Sequence, residues 1–256
     1  MKFHSIIRAS LLTLASIIAL VSCGRDGSRL ATTSPDVGGS VGITANSNII
    51  TIPFDRNNFV SGVTNQYYPL TPGTTYTYRT TAKAGNELNT VEVTSDAKTI
   101  LGVAVTVVRD RVYIADGSLS EDTFDWFAQD QQGNVWYFGE DTKTYDHGTL
   151  VSTEGSWEAG KNDAKAGIIM LADPHVGDVY KQEDSPGVVA DMAKVVSLDA
   201  TATVPKGTYV HCVETTEWTP LEPGDRAHKF YAAGVGPVLE TSTRQGGERV
   251  ELTQFP

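Results

Sequence analysis

From residue 74 onward, apolar and polar residues alternate in short runs separated by turn-forming pairs, the period-two pattern of half-buried strands. The runs predict strands over 75–81, 88–94, 100–109, 111–115, 122–129, 135–140, 168–171, 178–182, 190–203, 209–216, 229–232, 238–243 and 249–252. Ala84-Gly85-Asn86, Asp116-Gly117, Gly133-Asn134, Pro205-Lys206-Gly207, Glu222-Pro223-Gly224 and Gly246-Gly247 fall between them. The richest pair of runs is 121–130 and 135–140, joined by a polar loop ending in Gly133, which reads as a hairpin. Counting outward from Asp130 and Asn134 sets Gln129 opposite Val135, Ala128 opposite Trp136 and Phe127 opposite Tyr137. Beyond these, Trp126 falls opposite Phe138, Asp125 opposite Gly139 and Phe124 opposite Glu140. Both faces then carry aromatics, so one belongs to a core and the other needs cover. The best helical turn is short, at 188–194. Consecutive strands with tight turns favour antiparallel neighbours, so the expected fold is all-β, an antiparallel meander curled into a barrel or half-barrel.

The first 22 residues depart from this pattern. Lys2 and Arg8 precede an apolar stretch too short to span a bilayer, which describes a secretory signal. The sequence Leu20-Val21-Ser22-Cys23 resembles the lipobox of bacterial lipoproteins, which implies diacylglyceryl transfer to Cys23, cleavage before it, and a palmitate-type acyl anchor. The alternative is an ordinary cleaved signal with an incidental cysteine. Gly24 and Arg25 carry no acidic retention residue, which favours an outer-membrane or surface destination in the cell envelope. Residues 23–48, rich in Gly, Ser and Thr, read as a lipid-anchored flexible tether, and 49–256 as a single β-rich domain.

Cleavage removes Lys2 and Arg8 and moves the formal charge from −11 to −13. That acidity argues against nucleic acid as a partner and leaves the acyl group as the attachment to a membrane. The only other cysteine, Cys212, sits in a strand-like run and reads as a buried thiol.

Several segments carry a resemblance. Tyr67-Tyr68-Pro69-Leu70-Thr71-Pro72-Gly73, Val176-Gly177-Asp178, the 204–209 segment and Tyr231-Ala232-Ala233-Gly234-Val235-Gly236 occur in an order similar to that of an uncharacterised family of bacterial envelope lipoproteins. The acidic-aromatic segments 121–130, 133–142 and 152–160 are similar to the same group. More remotely, the layout resembles the half-barrel lipoprotein-carrier domains, which implies lipid carriage as an analogy.

The candidate binding set is Asp125, Trp126, Trp136, Tyr137, Glu140 and Trp157, because aromatic faces and carboxylates together suit a sugar. The same residues also suit a strand edge beside an aromatic core. A hydrolase would need a pair from Asp125, Glu140, Glu154 and Glu158 facing one another across an open cleft. Calcium has Asp130 and Asn134 to offer, but no alternating carboxylates follow, and the scattered histidines match no transition-metal spacing; no metal and no cofactor are implied. The expectation is a non-catalytic, lipid-anchored envelope protein whose curved β-domain binds a lipid, glycan or protein ligand. A glycan-acting hydrolase is the alternative.

Overall fold

The structure, a computed structural model, describes residues 49–83, 85–243 and 247–256. The predicted signal, the tether and Cys23 lie outside the described residues. The chain opens with β1 (Ile49–Ile50), a 3-10 turn at Arg56–Asn58, β2 (Phe59–Val60) and the small hairpin β3 (Val63–Asn65) and β4 (Tyr68–Leu70). A long meander follows: β5 (Thr75–Ala82), β6 (Gly85–Ile100), β7 (Val103–Ile114), β8 (Leu119–Asp130) and β9 (Val135–Asp146). Shorter strands come next, β10 (Thr149–Ser152), β11 (Trp157–Glu158), β12 (Lys165–Met170), β13 (Val179–Lys181) and β14 (Glu183–Asp184). A second meander, β15 (Met192–Val204), β16 (Gly207–Trp218), β17 (Ala227–Ala232), β18 (Gly236–Ser242) and β19 (Arg249–Gln254), completes the chain.

The fold is all-β, as the alternation predicts, and its pairings lead back to their origin. β5 to β9 pair in sequence, β9 pairs with β12, and β12 with β14. The same short segment, continuing through Gln182 into β13, pairs with β15. β15 to β19 pair in sequence, and β19 pairs with β5. The result is a curled wall of strands whose pairings run from β5 round to β19 and back to β5. One pairing in it is parallel, β1 with β13.

The β3–β4 hairpin plugs this wall. Asn65 Nδ2 donates to the carbonyls of Gly133 and Leu171, and the Gly234 amide donates to the Gln66 carbonyl. Between those anchors the buried Tyr68 ring meets Phe127 of β8 and Tyr231 of β17. A side chain reaching both meanders at once requires that they enclose a common interior.

Two sequence expectations fail for local reasons. The run at 100–109 is interrupted: Leu101 and Gly102 both take positive φ (51° and 82°) and make the two-residue turn between β6 and β7, with Ile100 opposite Val103. A leucine is a poor turn signal, which hid the break. The segment 188–194 is not a helical turn. Val189 bridges Ser185, and Met192 opens β15, so pairing with β13 and β16 overrides the weak helical pattern.

Candidate functional site

The central hairpin has the predicted register near its turn, with Gln129 opposite Val135, Ala128 opposite Trp136 and Phe127 opposite Tyr137. Beyond Phe127 the register slips by one residue. Asp125 pairs with Glu140 rather than Gly139, and Phe124 with Asp141 rather than Glu140. The slip is a bulge that includes Gly139, whose φ of +124° lies where side-chain-bearing residues are strained. Across the next ladder Glu140 faces Trp157 and Gly139 faces Glu158. Directly opposed residues share a face, so the bulge lines up Asp125, Glu140 and Trp157 in one row.

That row belongs to an interior crowded with carboxyl groups. Asp110, Asp125, Glu140, Glu183, Asp191 and Glu217 are all buried. The Tyr137 hydroxyl donates to Asp125 at 2.7 Å, the Thr142 hydroxyl to Glu140 at 2.9 Å, and the Trp157 indole N–H to Glu183 at 3.4 Å. Tyr231, Thr215 and Gln182 donate to Glu217 at 2.8, 2.8 and 3.2 Å. Lys229, itself 1% exposed, lies 3.1 Å from Glu217 and 3.5 Å from Glu240.

One buried lysine cannot neutralise so many carboxylates, and the acid groups respond accordingly. Burial, and then the charge of Asp110, pushes Asp125 well above the usual carboxylate range. Burial and Asp125 do the same to Glu140, and burial, Asp191 and Glu140 to Glu183. Burial raises Asp191 and Glu240 to about 7 each. Glu217 goes the other way: burial pushes it up, but Lys229 and the hydroxyl donors outweigh that and hold it below its ordinary value. Lys229 is raised, because Glu217 and Glu240 overcome its desolvation. The interior is therefore a set of carboxyls whose ionisation burial and mutual charge disfavour, around one ion-paired centre.

The accessible chemistry lies on the flank, in a cleft of about 400 Å³. Its walls come from three separate parts of the chain. The β6–β7 hairpin contributes Lys98, the β8–β9–β11 ladder contributes Trp126, Glu140, Trp157 and Glu158, and two turns contribute Lys161, Asn162 and Ser185. Asn162 and Asp163 both have positive φ (49° and 63°), and the Ala164 amide donates to the Lys161 carbonyl, so 161–164 is a type I′ turn. Asn and Asp suit that turn, which aims the loop at the cleft without strain. Glu158 bridges two lysines, with Lys98 Nζ 3.0 Å and Lys161 Nζ 3.1 Å away. Although burial opposes it, the two ammonium groups hold Glu158 below the usual range.

Of the six candidate residues, Trp126, Glu140 and Trp157 border this cleft; all three are buried, with Trp126 on the ladder face opposite to the other two. Asp125 and Tyr137 do not border it; both are 0% exposed and bonded to one another in the interior. Trp136 is also elsewhere. Its indole donates to Asp130 at 2.9 Å, and its ring packs against Phe54 and Phe59, which cover the outer face of the hairpin. It borders an apolar groove of about 560 Å³ with Ile49, Ile52 and Ile168. The sequence reading missed Lys98, Lys161, Asn162 and Ser185. The Asn162-Asp163 pair was a readable turn signal, whereas nothing local marks Lys98.

Of the carboxylates named for hydrolysis, only Glu140 and Glu158 border the cleft. Asp125 is sealed, Glu154 is exposed, and Glu158 is engaged by two lysines. Glu140 and Glu158 both border the cleft, yet they are neighbours along the chain-pairing pattern that point to opposite faces of the ladder. Among the described residues, no group of three or more His, Cys, Asp or Glu side chains is arranged to hold a metal ion.

No family model matches the chain, and no curated protein matches it. Among solved structures, it is similar to a candidate lipoprotein from Parabacteroides distasonis ATCC 8503. The two share 11% identity with a TM-score of 0.42, and the match covers 75% of this chain and 99% of the other.

Proposed function

We propose that this chain is a lipid-anchored envelope protein whose β-domain binds a small polar ligand in the flank cleft without transforming it. The observation that carries the binding half is the convergence of Trp126, Glu140, Trp157, Lys98, Lys161 and Asn162, from three parts of the chain, around one open space. Charged and amide groups beside indole rings suit a hydroxylated ligand such as a saccharide better than a lipid. The interior is filled by buried tyrosines and carboxyls, which is not the lining of a lipid carrier. The envelope half rests on the signal-like 1–22 segment, the Leu20-Val21-Ser22-Cys23 sequence and the acidic charge.

Two measurements test the two halves. Mass spectrometry of protein extracted from its own membrane should find the mature N-terminus at Cys23 carrying acyl chains, and Cys23→Ala should release the protein from the membrane fraction. A chain beginning elsewhere, with an unmodified thiol, would overturn the anchor. For the cleft, titration of intrinsic tryptophan fluorescence with mono- and oligosaccharides should give saturable binding that Asn162→Ala weakens about tenfold, with a stability loss no larger than alanine's strain at positive φ. Saturable binding that survives Asn162→Ala and Lys161→Ala unchanged would place the ligand elsewhere.

A further inference from the structure

We propose that the cleft is an ammonium-recognition site already occupied by an internal stand-in, Lys98, and that its ligand is a small molecule bearing a protonated primary amine, with an amino sugar favoured. This deepens the saccharide reading of the same cleft and rests on it. The Lys98 Nζ lies 3.2 Å from the centroid of the Trp126 ring and 3.0 Å from Glu158 Oε2. An indole face on one side and a carboxylate on the other is the pairing that recognises a cation of this kind. The Trp126 ring is 6% exposed, with that ammonium across its face.

Lys98 is suited to leave. It belongs to the far end of the β6–β7 hairpin, beyond a bulge where the register shifts between Val93 and Ala97, and its side chain is 31% exposed. A four-carbon stem can carry the ammonium into water without moving the backbone. Glu158 would not be stranded by the exchange, because Lys161 holds its other oxygen at 3.1 Å. Glu140 and Asp141 also border the cleft, Asp141 being paired with Lys143 at 2.6 Å. The acidic chain as a whole attracts cations. Asn162 and Ser185 on the walls can bond hydroxyls, which favours an amino sugar over a bare alkylamine.

The test is a fluorescence and calorimetric titration of the whole protein with glucosamine, N-acetylglucosamine, glucose and 1,5-diaminopentane. Glucosamine is expected to bind at least tenfold more tightly than N-acetylglucosamine or glucose, since acetylation removes the charge and leaves the ring. Lys98→Ala, which removes the internal competitor, is expected to tighten glucosamine binding at least tenfold, and Glu158→Gln to weaken it by a similar factor. Preference for glucosamine over diaminopentane makes the ligand an amino sugar, and the reverse order makes it an alkylamine; either upholds an ammonium site. Equal binding of glucosamine, N-acetylglucosamine and glucose would overturn the ammonium inference while leaving a saccharide cleft. Weaker glucosamine binding in Lys98→Ala would overturn the stand-in role, and binding of none of the four would remove the saccharide reading as well. Wild-type selectivity among the four probes decides the question even if a variant fails to fold.

Discussion

Replacing Gly139 with alanine is expected to destabilise the protein by about 4 kcal/mol or more, a large share of the roughly 5–15 kcal/mol that holds an ordinary domain folded. Two effects combine. A Cβ on Gly139 would lie 2.2 Å from the Trp157 carbonyl oxygen and 2.9 Å from the Glu158 Cα, both backbone atoms held in the β9–β11 ladder. The φ of +124° adds a backbone strain of roughly 1–3 kcal/mol for any L side chain. Neither can be relieved by rotating a side chain, in contrast to Gly160, whose added Cβ would meet only the Leu101 side chain. Urea denaturation followed by circular dichroism checks this, with Gly148→Ala as the control. Gly148 also has positive φ, at +79°, but nothing lies within 4 Å of its Cβ position, so its loss should stay near 1 kcal/mol. Equal losses in the two variants would show that the bulge tolerates side chains.

Stability is expected to fall as the pH rises from about 5 to 7. Asp125, Glu140, Glu183, Asp191 and Glu240 all hold their protons more tightly folded than unfolded. Above the ordinary carboxylate range near pH 4, the folded state binds more protons than the unfolded one, so each such group removes about 1.4 kcal/mol per pH unit until its folded pKa is passed. For Asp191 and Glu240 that window closes at about 7; Asp125, Glu140 and Glu183 act in the same direction. Glu217 opposes the trend at the acid end, because its lowered pKa contributes stability above its ordinary value that is lost as pH falls. Lys229, being raised, keeps its contribution across this whole range and loses it only at strongly alkaline pH. The maximum should therefore lie in the mildly acidic region. Asp191→Asn should flatten the slope between pH 5 and 7 by about one proton's worth, 1.4 kcal/mol per unit. Urea midpoints at unit pH intervals report both. A rise in stability from about pH 5 to 7 would mean that these carboxyls are ionised and paired in the folded state.

The alternation of residues made the strand series and the curled antiparallel wall legible, down to the first three pairs of the central hairpin. It failed at the bulge. A period-two count has no means of inserting an extra residue, and Gly139 inside the run was its one local sign, since an isolated glycine in a strand marks a bulge. That slip decides which carboxylate faces Asp125, so the site could not be assembled by counting. The interior acids were hidden for another reason. Asp110, Glu183 and Glu217 carry no sequence signal of burial, because charged strand residues ordinarily face water, and Asp125 stood out only as a candidate site residue. Asp110 and Asp125 meet across the paired strands β7 and β8, whereas Glu183 comes near Asp125 only through the fold. Trp136 and Trp126, one strand apart in the hairpin, were indistinguishable by composition; Phe54 and Phe59 claim the first, and Lys98 the second.

The proposed ligand site is the flank cleft, rather than the acidic interior or the apolar groove. The most direct measurement is amide and indole chemical-shift mapping of the protein during titration with glucosamine. Shifts are predicted at Lys98, the Trp126 indole, residues 156–162 and Ser185, with residues 49–54 and 164–168 unmoved. Shifts centred on residues 49–54 and Trp136, or spread through the Glu217 and Lys229 strands, would contradict it.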